Sequence, residues 1–157
     1  MASIVHIGML VRNVEDAAKT LEESVGIGPF EIVEPKYHDS TVNGKPQEYR
    51  VRMGHARAGS TDIVLIQPLP GENAYKEFLQ RKGYGVHHLA IETDSVARST
   101  QEMIAKGFKV IQSGSRPGIK FVYFNTEEQT GITFEFIEFV EKKKQSERDG
   151  KPTSGGN

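Results

Sequence analysis

Two stretches of this chain repeat one another about half its length apart, and such a duplication restricts the fold to paired modules before any single element is assigned. In the first, His6-Ile7-Gly8-Met9-Leu10-Val11 is a short apolar run opened by a histidine. Asn13 then serves as a helix N-cap for a stretch with Ala17, Leu21 and Val25 at i, i+4 and i+8, which stops at Gly26. In the second, Gly85-Val86-His87-His88-Leu89-Ala90-Ile91-Glu92 places His88 at the start of the equivalent run. Asp94 is the matching N-cap. The helical stretch from Ser95 to Lys106 has Val96, Met103 and Ile104 for one face and stops at Gly107. His6 and His88 stand 82 residues apart in a chain of 157.

The remaining segments fall into the same order in each half. Pro29 to Val33 reads as a strand, and Tyr37 to Gln47, with Asn43-Gly44-Lys45-Pro46 inside it, as a loop or hairpin tip. Glu48 to Met53 alternates polar and apolar like a half-exposed strand, and Ile63-Val64-Leu65-Ile66 fits a strand buried on both faces. Asn73 to Lys82 predicts a linking helix that carries Tyr75, Phe78 and Leu79. In the second half Lys109 to Ile111 is a strand, Ser113 to Gly118 a loop, Lys120 to Phe124 a strand and Ile132 to Ile137 the last strand. Each half therefore reads β-α-β-β-β, an α+β chain with module one at 4–70, the linker helix at 73–82 and module two at 85–140. Together these make one domain over 1–140. From Glu141 the chain turns to Lys142-Lys143-Lys144, Asp149-Gly150 and Ser154-Gly155-Gly156, so 141–157 is expected to be a disordered tail.

Composition removes several function classes. A formal net charge of −1 and a pI near 6.5 give no surface built to neutralise phosphates, so nucleic acid is not an expected partner. No run of 18 apolar residues appears and no basic-then-apolar leader opens the chain, so neither a membrane span nor secretion is expected, and a cytoplasmic protein is the default. Without cysteine there is no disulfide, thiolate ligand or thiol nucleophile. Any metal must be held by His, Asp, Glu or Gln.

His6 and His88 occupy the same place in the two repeats, and Glu135 lies in the last strand between Phe134 and Phe136. A carboxylate in apolar surroundings is costly unless it is paired, protonated or metal-bound. Two imidazoles and one carboxylate also make up a facial triad that leaves metal positions open for substrate. Taken singly, a strand histidine is more often a hydrogen-bonded structural residue, which is the reading for His38, His55 and His87. Glu135 alone would sit at a sheet edge in water. The duplication favours metal binding by His6, His88 and Glu135.

These residues bring out a family likeness. The chain resembles the vicinal oxygen chelate superfamily of glyoxalase I, extradiol dioxygenases, bleomycin- and fosfomycin-resistance proteins and methylmalonyl-CoA epimerase, and the epimerases most of all. The likeness rests on His6-Ile7-Gly8 with its helix, Ile66-Gln67-Pro68-Leu69, the run from Phe78 through Gly83-Tyr84-Gly85 to Ala90, and Gly131-Ile132-Thr133-Phe134-Glu135. It covers roughly residues 4 to 140.

The resemblance implies two βαβββ modules in one cupped, glyoxalase-like mixed sheet, with a divalent metal (cobalt, nickel, manganese, zinc or iron) held by the first and last strands of each module. His6, His88 and Glu135 match three of the four ligand positions. Aligned through their last strands, the repeats set Val64 opposite Glu135, and Gln67 should face the other way by strand alternation. Either Gln67 is recruited through a bulge, or water replaces the ligand, or three residues suffice.

As activity, the resemblance implies an epimerase or isomerase that transfers a proton α to a thioester or ketone carbonyl through a metal-bound enolate, with Glu135 and Glu48 as the catalytic acid and base. The substrate would be a small molecule such as an acyl-CoA, and the assembly a homodimer. The loop Ser115-Arg116-Pro117-Gly118-Ile119 is shorter than the glycine-rich one of the epimerases. An iron(II) extradiol-type dioxygenase and a non-catalytic binding protein of the bleomycin-resistance type are the alternatives.

Overall fold

The structure, a computed structural model, describes residues 1–140, 145 and 147–150. Of the expected tail, residues 141–144, 146 and 151–157 lie outside the described residues, while 145 and 147–150 are exposed. In chain order the elements are β1 (Ile4–Leu10), α1 (Val14–Thr20) continued by a π turn (Leu21–Val25), β2 (Glu31–Val33), β3 (His38–Val42), β4 (Lys45–Pro46), β5 (Val51–Ala58), β6 (Thr61–Pro68), α2 (Lys76–Lys82), β7 (Gly85–Glu92), α3 (Val96–Ala105), β8 (Val110–Arg116), β9 (Ile119–Phe124), α4 (Glu127–Thr130) and β10 (Thr133–Phe139). No described helix is long and apolar enough to cross a membrane. The chain divides into two compact units, and β7 runs through the division after Leu89.

The first unit comprises Val5–Lys36 and Glu48–Leu89. Its strands follow the order β2-β5-β6-β1, antiparallel except for β1 and β6, which are parallel and register His6 with Asp62 and Gly8 with Val64. Alternation then sorts the side chains. Ile7, Met9, Val11, Ile63 and Leu65 pack with Val14, Ala18 and Leu21 from the helix, so His6, Gly8 and Val64 belong to the other face of the sheet. Asn13 caps α1 by accepting from the Asp16 N–H, as expected. The helix differs from the sequence expectation at its end. The π turn, with more residues per turn, rotates Val25 off the apolar stripe, and it stands exposed before the left-handed Gly26.

The second unit comprises Met1–Ile4, Tyr37–Gln47 and the described residues from Ala90 onward, with strand order β10-β9-β8-β3-β4, all antiparallel. The segment read as a loop or hairpin tip is the hairpin β3–β4. Asn43 and Gly44 both take positive φ (51° and 76°), which a type I′ turn requires. β3 pairs with β8, so a hairpin encoded within the first repeat extends the sheet of the second unit. The expected Ser113–Gly118 loop is largely strand. Arg116 pairs with Ile119, leaving only Pro117 and Gly118 to turn, and Gly118 supplies a φ of 79°. Helix α3 is capped one residue later than expected, by Ser95 accepting from the Arg98 N–H.

Candidate metal centre

Within the first unit the two repeat-equivalent histidines come together. His6 is half-buried on β1, and His88, on β7, is 1% exposed. Their Nε2 atoms lie 2.9 Å apart, with the rings edge-to-face at 77°. Gly8 makes this approach possible, since a Cβ built there would fall within the His88 imidazole. Either one proton bridges the two nitrogens or both lone pairs turn to a shared cation. At metal–nitrogen distances of about 2.0–2.1 Å, two donors 2.9 Å apart subtend roughly a right angle. That spacing would let both nitrogens bind one ion, so the histidine pair fits the metal expected from the sequence.

His87, read from sequence as structural, touches the pair. Its Nδ1 lies 2.9 Å from the Nδ1 of His88, and its buried ring stands edge-on to Tyr75 at 5.2 Å and Phe78 at 4.6 Å. The adjacent His-His in the sequence was the available signal, but alternation along a strand argues against side-chain contact between neighbours. His55 and Asp62 form a further pair at 2.8 Å, joined by Arg57 at 3.0 Å. Burial alone would push the Asp62 carboxyl up. Hydrogen bonds from His55 and Arg57 outweigh it and hold the group below its ordinary range. His38 is exposed on β3.

The other expected residues of this unit offer no further ligand to the pair. Val64 is buried on β6, in register with Gly8 on one side and His55 on the other, and offers only methyl groups. Gln67 faces the helix: its Oε1 accepts the Val14 N–H at 2.9 Å. Glu48 is exposed in the segment ahead of β5; the strand expected to start there begins at Val51. A groove of about 540 Å³ lined by Met9, Ala17, Leu21 and Leu65, with Arg12 over the Tyr84 ring, lies on the helix side of the sheet, away from the His6 face.

In the second unit Glu135 sits on β10, 4% exposed, in line with Thr133 and Ile137 and out of line with Phe134 and Phe136. Its register partner on β9 is Tyr123, whose partner on β8 is Gln112, and both are buried. Glu135 thus opens a row of three buried polar residues across three strands. The sequence marked Glu135 by its apolar neighbours. Tyr123 and Gln112 carry no local signal, because only the pairing of β8, β9 and β10 brings them into line.

The two βαβββ repeats, each opened by a strand that carries a histidine, agree with the comparisons. The chain belongs to the glyoxalase/bleomycin resistance protein/dioxygenase superfamily, whose family model matches residues 5–125. The resemblance read from the sequence is borne out, and with it the α+β glyoxalase-like fold. The chain is 27% identical over 136 residues to the uncharacterized protein YqjC of Bacillus subtilis (strain 168), covering 85% of this chain and 89% of that one. Its fold is similar to a hypothetical protein of Bacillus halodurans C-125, with a TM-score of 0.66, 22% identity and 99% of each chain covered. It is similar also to a variant of Streptomyces coelicolor methylmalonyl-CoA epimerase in complex with 2-nitronate-propionyl-CoA, with a TM-score of 0.62, 23% identity, and 88% and 94% covered. At these identities the two structures speak for the fold alone. The superfamily typically binds a divalent metal and includes both enzymes and non-enzymes.

Proposed function

We propose that the protein is a metal-dependent epimerase or isomerase of the methylmalonyl-CoA epimerase type, moving a proton on the carbon beside a thioester or ketone carbonyl. His6, His88 and Glu135 are the donor set for one divalent cation, whether cobalt, nickel, manganese, zinc or iron. The observation that carries this reading is the 2.9 Å spacing of the His6 and His88 Nε2 atoms, which suits two ligands of one ion. The family and the epimerase fold likeness support it. Gln67 is left out of the set because its carbonyl oxygen serves the Val14 N–H.

Such a cation supplies Lewis acidity that makes the neighbouring carbon acid easier to deprotonate. The chain's own residues handle the proton. Glu135, buried and unable to reach bulk water freely, is the proposed carrier on one face of the substrate. Glu48 is the proposed carrier on the other face, exposed and able to exchange its proton with solvent. The substrate is a small molecule of the acyl-CoA class, and the working assembly a homodimer in the cytoplasm.

Val64 favours one rival: with an aliphatic side chain at the fourth position, two histidines and a carboxylate are also the set of non-haem iron(II) oxygenases. Cobalt-loaded protein given a 2-methylmalonyl thioester in D₂O should exchange the α-hydrogen, and Glu135→Gln should abolish the exchange. No exchange across acyl-CoA and 2-oxo substrates, with oxygen uptake on catechols by the iron form, establishes the dioxygenase instead. Tight binding of an apolar ligand with neither reaction establishes a binding protein.

A further inference from the structure

We propose that His87 is a positioning residue that accepts the Nδ1–H of His88 and so keeps the His88 Nε2 lone pair available to the cation. The inference rests on His6 and His88 being metal ligands, and concerns the step behind them. A neutral imidazole has one N–H and one lone pair. The run His6 Nε2, His88 Nε2, His88 Nδ1, His87 Nδ1 contains two contacts of 2.9 Å, and the protons can be placed along it in two opposite senses. In one, His88 donates from Nε2 to His6 and accepts at Nδ1 from His87; no lone pair on His88 Nε2 is then free for a metal. In the other, His88 carries its proton on Nδ1 and donates it to His87. Only the second is compatible with ligation.

Ligating histidines generally hand the other N–H to a carboxylate or a carbonyl, which fixes ring and tautomer. Here the atom at hydrogen-bonding distance is an imidazole nitrogen. For it to accept, His87 must carry its own proton on Nε2. The surrounding aromatics hold the ring in this orientation. His87 is 5% exposed and bounded edge-on by Tyr75 and Phe78, and α2 contributes Phe78. Packing alone does not demand a histidine, because a phenylalanine would fill the same aromatic slot.

That contrast supplies the test. His87→Phe keeps the ring and removes the acceptor, and His87→Asn returns an acceptor oxygen close to where Nδ1 stood. Cobalt(II) is titrated into the metal-free wild type and both variants, following heat and the visible spectrum, with ¹⁵N NMR of the histidine rings alongside. In the wild type an N–N coupling should connect the two Nδ1 atoms, and zinc loading should leave the His88 proton on Nδ1. His87→Phe should bind cobalt about 10–100-fold more weakly with an altered spectrum, and His87→Asn should recover most of the loss. Unchanged affinity and spectrum in His87→Phe, while His88→Ala loses the metal, overturns the role of His87 alone. A wild type that binds no cobalt overturns the ligand reading and this inference with it. Absence of the N–N coupling in the wild type overturns the proposal without recourse to any variant, including one that fails to fold.

Discussion

Gln67 and Glu138 do the same thing in the two repeats. Each is a last-strand side chain whose oxygen accepts, at 2.9 Å, the first N–H of the helix packed on its unit: Val14 for Gln67 and Val96 for Glu138. Both stand three residues after the positions that sequence alignment sets opposite each other, Val64 and Glu135. A backbone donor at a helix start lacks an intrahelical partner, and Val14 is fully buried, so the acceptor must come from the sheet. Gln67→Ala should therefore cost about 1–3 kcal/mol in denaturant unfolding by orphaning that donor. Cobalt stoichiometry should stay unchanged. Loss of metal with stability intact would restore Gln67 to the ligand set.

The same correspondence makes Val64 the repeat counterpart of Glu135, so the first unit has an aliphatic side chain where the second has its carboxylate. Val64→Glu should supply a fourth ligand. In metal-free protein the new carboxylate is buried and uncompensated, which lowers the melting temperature. Cobalt should then stabilise the variant more than it stabilises the wild type, since ligand binding to the native state raises stability by mass action. Differential scanning with and without cobalt measures both effects; an equal metal-induced shift in the two proteins would place Val64 away from the cation.

Gly8 gives a sharper probe of the histidine pair. The methyl of Gly8→Ala has no room beside the His88 ring, so the ring must move or the strands must part. Overpacking of this kind costs about 1–3 kcal/mol. Because the ring that moves is a proposed ligand, cobalt affinity should fall along with stability. A variant that loses stability but binds cobalt as before would show that the His88 Nε2 position does not decide binding.

Much of this was legible in the sequence because it is local or repeated. The β-α-β-β-β order, the Asn13 cap and the Gly26 stop follow from periodicity and capping; His6 and His88 stand out through the duplication, and Glu135 through its apolar neighbours. What escaped depends on contacts between distant segments. Nothing near His38 indicates that β3 pairs with β8 and not within its own repeat. The partnership of Gly8 with His88 spans half the chain, and a His-x-Gly alone does not announce it. Tyr123 and Gln112 join Glu135 only through strand register. Val25 falls off the apolar stripe because a π turn is a local departure that an i, i+4, i+8 pattern assumes away.

Asp62 carries a pH dependence whose sign follows from its partners. It accepts from His55 at 2.8 Å and from Arg57 at 3.0 Å, and together these hold its folded carboxyl below its ordinary value despite burial. A group whose pKa is lower folded than unfolded stabilises the native state above its unfolded pKa, near 3.9, and loses that contribution as pH falls through the folded value. His55 and Arg57 are half or more exposed, so solvent screening limits the effect to roughly 1 kcal/mol or less. Asp62→Asn should thus be less stable than the wild type at about pH 5, and the gap should close as the pH is lowered through and below about 4. Urea unfolding midpoints across that range measure it. A gap of constant size down to the acid limit would mean that Asp62 contributes through hydrogen-bond geometry that the amide cannot reproduce, and not through its charge.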